Sequence, residues 1–226
     1  MSKERRHLKL ARQSNSTQIA QGTPLWQGVA VAGASMLVQI TPVPKMRHSA
    51  EKRASFGQIK VMRLPGAKSS GRLLAGGLCI SCTLGRQGVS HRKREGDGTT
   101  PAGRFRLQRI SYRADRGPRP RTLLPQRRLR PDEGWCDDPA SGRYNRPVRL
   151  PFHSGHETMW RDDPLYDIVV VLDHNLRPCR RGFGSAVFLH IARPDSAPTA
   201  GCIAVSAADM RRLLPRLSSR TVLTIG

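Results

Sequence analysis

Short apolar runs, separated by clusters of glycine, proline and aspartate, make up most of the chain after about residue 57. This pattern is typical of many short β-strands joined by turns. One helix is predicted after Ser206, because Ser206 and Asp209 resemble a capping box and apolar residues follow at helical spacing. The pattern therefore predicts a mainly β domain with a few short helices. The predicted strands cover residues 58–64, 73–84, 105–110, 166–172, 185–191 and 221–225, and the second of them is interrupted by Gly76 and Gly77.

Residues 111–164 show no clear period and are rich in proline, arginine and aspartate, which predicts loop. A loop region of this length inside a compact domain usually carries a lid or a binding rim. His153 and His156 are spaced like a weak pair of metal ligands, but no further ligands complete a site. We therefore expect neither a metal nor a cofactor.

The first 56 residues differ in composition from the rest. Residues 1–24 are basic and polar, residues 25–38 are apolar, and residues 41–55 are rich in proline, lysine and arginine. The apolar run is shorter than the ~20 residues that a membrane-spanning helix needs, so no stable transmembrane span is predicted. We expect a poorly ordered basic segment over 1–56, and three interpretations of it stay open: an export signal, an anchor, or a start placed too far upstream.

The charge of the chain is strongly positive, with 39 Lys and Arg against 16 Asp and Glu and a formal net charge of +23. Such a charge attracts polyanions, including nucleic acid, anionic lipid and acidic wall polymers. The basic residues are spread along the whole chain, and no nucleic-acid-binding motif accompanies them. We therefore expect no specific nucleic-acid partner.

Two of the five cysteines, Cys79 and Cys82, form a C-x-x-C pattern. The pattern is compatible with half of a zinc site or with a redox pair, but no second half follows at zinc-ligand spacing. Residues three apart on a strand point to opposite faces of the sheet, which favours two separate small structural residues.

The segment between Phe188 and Ile203 contains a candidate nucleophile and a candidate base. His190 lies near the end of an apolar strand, and Cys202 follows a proline-containing loop and Gly201. A thiol with an ordinary pKa of ~8.5 is mostly protonated at neutral pH, and an adjacent imidazole activates it. Gly201 permits a tight turn, which places two backbone N–H groups where an oxyanion would form. On the residues alone, a core histidine and a core cysteine remain an equally good interpretation.

Two ordered stretches resemble the L,D-transpeptidase (YkuD-type) catalytic domain over about residues 57–226. Residues 98–105, Gly-Thr-Thr-Pro-Ala-Gly-Arg-Phe, resemble the Thr-Pro-x-Gly-x-Phe turn of that family, and residues 93–97 and 160–163 resemble a proteobacterial branch of it. Ala200 and Ala204 depart from the family pattern, where a histidine and an arginine or asparagine are usual. The residues that match the motif around the cysteine are His190, Thr199, Gly201, Cys202 and Ile203.

The resemblance implies a β-sandwich or β-barrel with a few short helices. It also implies that Cys202 attacks a peptidoglycan stem peptide while His190 acts as base and acid and the Ile191 carbonyl orients the imidazole. Gly201 would contribute to the oxyanion site. The residues expected to contact substrate are Thr199, Arg146, Arg161 and Trp160.

By the same resemblance we expect a monomeric enzyme of cell-wall biogenesis in the periplasm or cell envelope, with a role in cell shape. Two alternatives stay open. One is an L,D-carboxypeptidase-type hydrolase on the same fold. The other is a basic, non-enzymatic module that binds cell wall or nucleic acid, in which Cys202 is structural.

Overall fold

The computed structural model describes residues 54–226. The predicted basic segment and its apolar run lie outside the described residues, apart from positions 54–56. Phe56 is buried in the hydrophobic core. Within the described residues, no helix is long and apolar enough to cross a membrane.

The described residues form fourteen strands, one α-helix, α1 (Ala207–Leu213), and two 3₁₀ turns, Pro164–Tyr166 and Leu214–Arg216. The strands are β1 (Gln58–Arg63), β2 (Ser70–Ala75), β3 (Leu78–Thr83), β4 (Val89–Ser90), β5 (Thr100–Pro101), β6 (Gly103–Tyr112), β7 (Gln126–Arg128), β8 (Glu133–Cys136), β9 (Pro147–Arg149), β10 (His156–Thr158), β11 (Ile168–Leu172), β12 (Phe188–Ile191), β13 (Ile203–Val205) and β14 (Val222–Ile225).

The main sheet closes on itself like a barrel. Its strands follow the order β11-β12-β13-β3-β2-β1-β14-β6, and β6 returns to pair with β11. The ten-residue strand β6 makes this closure possible, because its first half pairs with β14 and its second half pairs with β11. The prediction of a mainly β, barrel-like domain with few helices is therefore confirmed.

The helix begins where the sequence predicts it. The Ser206 hydroxyl accepts a hydrogen bond from the Asp209 N–H at 3.0 Å and caps the first turn of α1. Met210 and Leu213 are fully buried against the barrel core. Regular helix ends before Pro215, which lies in the second 3₁₀ turn.

The strand predicted over residues 73–84, with an interruption at Gly76 and Gly77, is two strands in the structure. The chain turns at Gly76 and Gly77 and forms the antiparallel hairpin β2–β3, in which Ala75 pairs with Leu78. Both glycines have positive φ, 50° and 85°, which glycine adopts without a steric penalty.

Residues 111–164 are also more structured than the sequence predicts. They contain β7 and a small sheet of order β10-β8-β9. These strands have only three or four residues, too few to show an apolar–polar alternation. The small sheet contributes the buried Trp135 to a second apolar cluster outside the barrel interior, which also contains Tyr166, Phe188 and Cys202.

The two cysteines of the C-x-x-C pattern lie on opposite sides of β3. Cys79 is exposed and Cys82 is buried. Their side chains therefore do not form a common site, as the strand geometry predicts.

Candidate active site

The parallel pairing of β12 with β13 brings His190 and Cys202 to one face of the sheet. Leu189 pairs with Ile203, and both point into the barrel core. His190 pairs with Ala204 and points to the opposite side. Cys202 lies two residues before Ala204, and because side chains alternate along a strand it lies on the same side as His190. His190 and Cys202 both line one cavity of about 390 Å³.

The Cys202 thiol is buried, with 8% of the residue exposed. Its Sγ lies 3.1 Å from the Ala186 carbonyl, to which it donates, and 3.3 Å from the Phe188 N–H, from which it accepts. Burial raises the pKa of Cys202 well above its ordinary value, and the nearby carboxylate of Glu157 adds to this effect. The resting site therefore holds a neutral thiol.

His190 is oriented by the backbone. Its Nδ1 lies 2.8 Å from the Ile191 carbonyl oxygen, which favours the neutral tautomer that carries its proton on Nδ1. The ring of Tyr166 packs edge-on against the imidazole, with the centroids 5.3 Å apart. Burial lowers the pKa of His190 to about 4, although the hydrogen bond to Ile191 acts in the opposite direction. The imidazole is therefore neutral at neutral pH.

Thr199 stabilises the loop that carries the cysteine. Its hydroxyl accepts from the Gly201 N–H at 3.1 Å and donates to the Cys202 carbonyl at 2.7 Å. Gly201 has φ +146°, and a β-carbon there would lie 2.8 Å from the Thr99 carbonyl oxygen. Only glycine avoids that contact. The Gly201 N–H, expected from the sequence to face an oxyanion, is already bonded to Thr199.

A partly buried ion pair lies beside this loop. Lys93 is 8% exposed, and its Nζ contacts Asp97 at 2.6 Å. Burial by itself would raise the pKa of Asp97, but bonds from Lys93, Thr99 and the Arg94 N–H lower it to about 2. Lys93 and Asp97 form an ion pair near Cys202 that the sequence interpretation did not include, although their spacing of four residues is a visible signal.

The cavity has an acidic side formed by Glu95, Asp137 and Glu157. Tyr166 donates a hydrogen bond from its hydroxyl to Glu157, and Tyr144 does the same to Glu95. Loss of solvent raises the pKa of both Asp137 and Glu157, and neighbouring carboxylates add to the rise. The acidic residues come from separate elements, so only the folded chain brings them together.

The basic residues on the cavity wall, besides Lys93, are Arg86, Arg161 and Arg193. Arg161 is held by Asp163 through two contacts, of 2.8 Å and 2.5 Å. Ser185 also lines the cavity, and its buried Oγ has no hydrogen-bond partner within the described residues. A buried hydroxyl without a partner is costly unless a ligand or water satisfies it.

Two of the residues predicted to contact substrate lie outside this cavity. Arg146 donates to the Leu176 carbonyl at 2.8 Å and holds a loop. Trp160 lies beneath the Arg113 guanidinium, 3.6 Å from the ring centroid. The structure therefore brings Thr199 and Arg161 to the cavity with Cys202, but not Arg146 or Trp160.

Comparison with known proteins gives one match. The family model for the L,D-transpeptidase catalytic domain, YkuD, matches residues 62–225, which cover the whole barrel apart from the first residues of β1 and the final glycine. No curated protein and no solved structure matches the chain.

Proposed function

This chain belongs to the L,D-transpeptidase catalytic domain family, and on that premise we propose that it transfers acyl groups of peptidoglycan stem peptides through Cys202. The observation that carries this proposal is the shared face of β12 and β13. There the Cys202 thiol and an imidazole oriented by the Ile191 carbonyl line one cavity.

The proposed first half-reaction starts from a neutral pair. His190 Nε2 takes the Cys202 proton as Sγ attacks the carbonyl carbon of the third stem residue, and a tetrahedral oxyanion forms. When this intermediate collapses, the peptide bond breaks and His190 returns the proton to the departing nitrogen. The products are a terminal D-amino acid with a free amine and a thioester on Cys202.

The second half-reaction resolves the thioester. An acceptor amine attacks the thioester carbonyl, His190 takes a proton from the amine nitrogen, and the thiol is regenerated as a new amide forms. Water in place of the amine would release a free carboxylate, which is the carboxypeptidase outcome. The fold and the nucleophile are the same for both reactions.

The cavity wall carries both acidic and basic side chains, which suits a zwitterionic substrate. A diamino acid at the third stem position carries an ammonium group, which Glu95, Asp137 and Glu157 would attract, and a carboxylate, which Arg161 would attract. Ser185 Oγ would donate or accept one further hydrogen bond. Substrate contacts of Arg146 and Trp160 stay predictions for parts of the wall polymer beyond this cavity.

Peptidoglycan is the substrate of this domain family, so we place the protein in the cell envelope or periplasm as a monomer that acts in wall biogenesis. A contribution to cell shape would follow from the cross-links it makes.

The decisive experiment incubates the protein with purified tetrapeptide muropeptides and identifies the products by mass spectrometry. Release of the terminal D-amino acid together with cross-linked dimers supports transpeptidation, and release without dimers supports hydrolysis. The Cys202→Ser variant is the control and should yield neither product. Identical product profiles for the native protein and the variant would refute a role of Cys202.

Thiol reactivity offers a second test. Cys79 is exposed whereas Cys202 is buried, so a general alkylating agent will label Cys79 readily. Alkylation of Cys202 should therefore be followed by peptide mass spectrometry in a Cys79→Ser background. We expect His190→Ala to slow Cys202 alkylation and to leave alkylation of the half-buried Cys179 unchanged.

A further inference from the structure

Lys93 is a lysine withdrawn from solvent at the edge of the candidate active site. Its side chain is 7% exposed, and it lines the cavity together with Cys202. A β-carbon on Gly201 would lie 3.3 Å from Lys93 Nζ, so the ammonium sits directly against the residue that precedes the nucleophile.

The lysine stem is held in a fixed position. A β-carbon on Gly184 would lie 2.9 Å from Lys93 Cγ and 3.0 Å from Cε, so the stem packs closely against that glycine. Asp97 holds the ammonium from the other side at 2.6 Å. An ammonium has three N–H donors, and Asp97 is the one hydrogen-bond partner of Nζ within the described residues.

Asp97 does not depend on Lys93 for its hydrogen bonds. Its carboxylate also accepts from the Arg94 N–H at 2.7 Å, the Thr99 N–H at 2.8 Å and the Thr99 hydroxyl at 2.9 Å. Stabilising Asp97 is therefore an incomplete explanation for a buried lysine, because burying an ammonium is itself costly.

The proposed reaction needs a hydrogen-bond donor close to Cys202. A tetrahedral intermediate on Cys202 develops a negative charge on the former carbonyl oxygen, and fixed donors aimed at that charge lower the barrier. The Gly201 N–H, which the sequence suggests for this task, is bonded to Thr199. Lys93 Nζ lies beside Gly201, and within the described residues Asp97 is its only hydrogen-bond partner, which leaves two of its three N–H donors available.

We propose that the Lys93 ammonium, with the Cys202 N–H, stabilises the oxyanion that forms when Cys202 attacks a carbonyl. This role rests on the proposed nucleophilic function of Cys202. In this role Lys93 Nζ donates a hydrogen bond to the oxyanion while the bond between Sγ and the carbonyl carbon forms, and this hydrogen bond is released when the carbonyl is restored.

The test compares two reactions of the same thiol. Acylation by p-nitrophenyl acetate passes through a tetrahedral oxyanion whatever the natural substrate is. Alkylation by iodoacetamide is a displacement at carbon without an oxyanion. Both are assigned to Cys202 by peptide mass spectrometry in a Cys79→Ser background.

We expect Lys93→Met to slow Cys202 acylation by about 100-fold while alkylation falls by no more than a few-fold. An equal loss in both reactions would overturn the proposal, because Lys93 would then act on the thiolate. The exposed Lys68, which lies outside the cavity, provides the matched control, and Lys68→Met should change neither rate.

A double variant, Lys93→Met with Asp97→Asn, separates catalysis from charge balance. It replaces the ion pair by neutral groups of similar size. If the single variant does not fold, acylation and alkylation are compared in the double variant instead. Acylation that stays slow in this variant supports the proposal, and acylation that recovers to the native rate overturns it.

The outcome for the natural substrate is read separately. In one outcome, the ester acylates Cys202 of the native protein at a rate that falls in Lys93→Met, while stem peptides release no D-amino acid. That result would refute the proposed function and support the role of Lys93. Ester turnover that is independent of Cys202 would overturn both.

Discussion

The neutral, buried state of His190 predicts a specific dependence of stability on pH. In the folded protein burial lowers the pKa of His190 to about 4, whereas an unfolded chain has a histidine pKa of ~6.5. Protons therefore bind the unfolded chain more readily than the folded one between these two values. The stability that His190 contributes is fully present above pH 6.5 and is lost as the pH falls towards 4.

The size of this effect follows from the two pKa values. Because the pKa of His190 is ~6.5 in the unfolded chain and about 4 in the folded protein, lowering the pH from ~7 to ~4.5 lowers the free energy of unfolding by about 2 kcal/mol. The carboxylate of Asp97, with a pKa of about 2, stays ionised in the folded protein over this range and contributes little to the change.

The measurement is urea denaturation of the native protein and of His190→Asn at both pH values. Asn keeps an N–H donor near the position of Nδ1, so the bond to the Ile191 carbonyl can persist, but Asn does not titrate. His174, whose pKa burial also lowers, is present in both proteins and cancels in the comparison. The native protein should lose about 2 kcal/mol more than the variant on acidification. Equal losses in the two proteins would refute the assignment of a neutral, desolvated imidazole.

Three further predictions concern the surroundings of the nucleophile. Thr199→Val removes the hydroxyl that bonds the Gly201 N–H and the Cys202 carbonyl, so we expect the free energy of unfolding in urea to fall by ~2 kcal/mol and Cys202 acylation to slow. Thr199→Ser keeps the hydroxyl and should keep native stability and acylation rate. Native-like stability of the valine variant would contradict the role of Thr199 in stabilising this loop. Gly85→Ala places a β-carbon 2.4 Å from the Gly98 carbonyl oxygen and should lower the free energy of unfolding by ~3 kcal/mol. The control Gly117→Ala, whose β-carbon would have no atom within 4 Å, should leave stability nearly unchanged. Similar melting temperatures of the two variants would refute the close approach at Gly85. Arg161→Met should raise KM for stem peptides several-fold, because Arg161 lines the cavity. Arg146→Met should lower stability without changing KM, because Arg146 bonds the Leu176 carbonyl outside the cavity. The reverse pattern in steady-state kinetics would show that Arg146 is the substrate contact.

The strands and helix of the barrel were accessible to sequence reasoning where they are long enough to show a pattern. The run before His190 is apolar because β12 is buried on both faces, and the Ser206 cap is a local signal. Gly76 and Gly77 were visible in the sequence as an interruption of the strand, but not as a reversal of the chain, because apolar residues continue beyond them and positive φ leaves no trace in the sequence other than the glycines themselves.

Local pattern singled out His190 and Cys202 as candidates, but on the residues alone a core histidine and a core cysteine were equally good interpretations, and the family resemblance supplied their proposed roles. His190 lies on an apolar strand and Cys202 follows a tight glycine turn, so both stand out against their neighbours. Glu157 and Tyr166 had no such signal. They are distant in the sequence from Cys202, and they reach the cavity only because the small sheet and the turn before β11 pack against β12.

The sequence by itself indicated the longer strands, the capped helix and two candidate reactive side chains, because hydrophobic alternation, helix capping and glycine turns act over a few residues. The closure of the sheet depends on pairing between distant strands and was expected only from the family resemblance. The tertiary structure decided how those side chains behave. Burial depends on what packs over a residue, and it makes both the Cys202 thiol and the His190 imidazole neutral at rest. Packing also decided which polar groups lie beside Gly201, since the Thr199 hydroxyl accepts from the Gly201 N–H and the fold places Lys93 against Gly201.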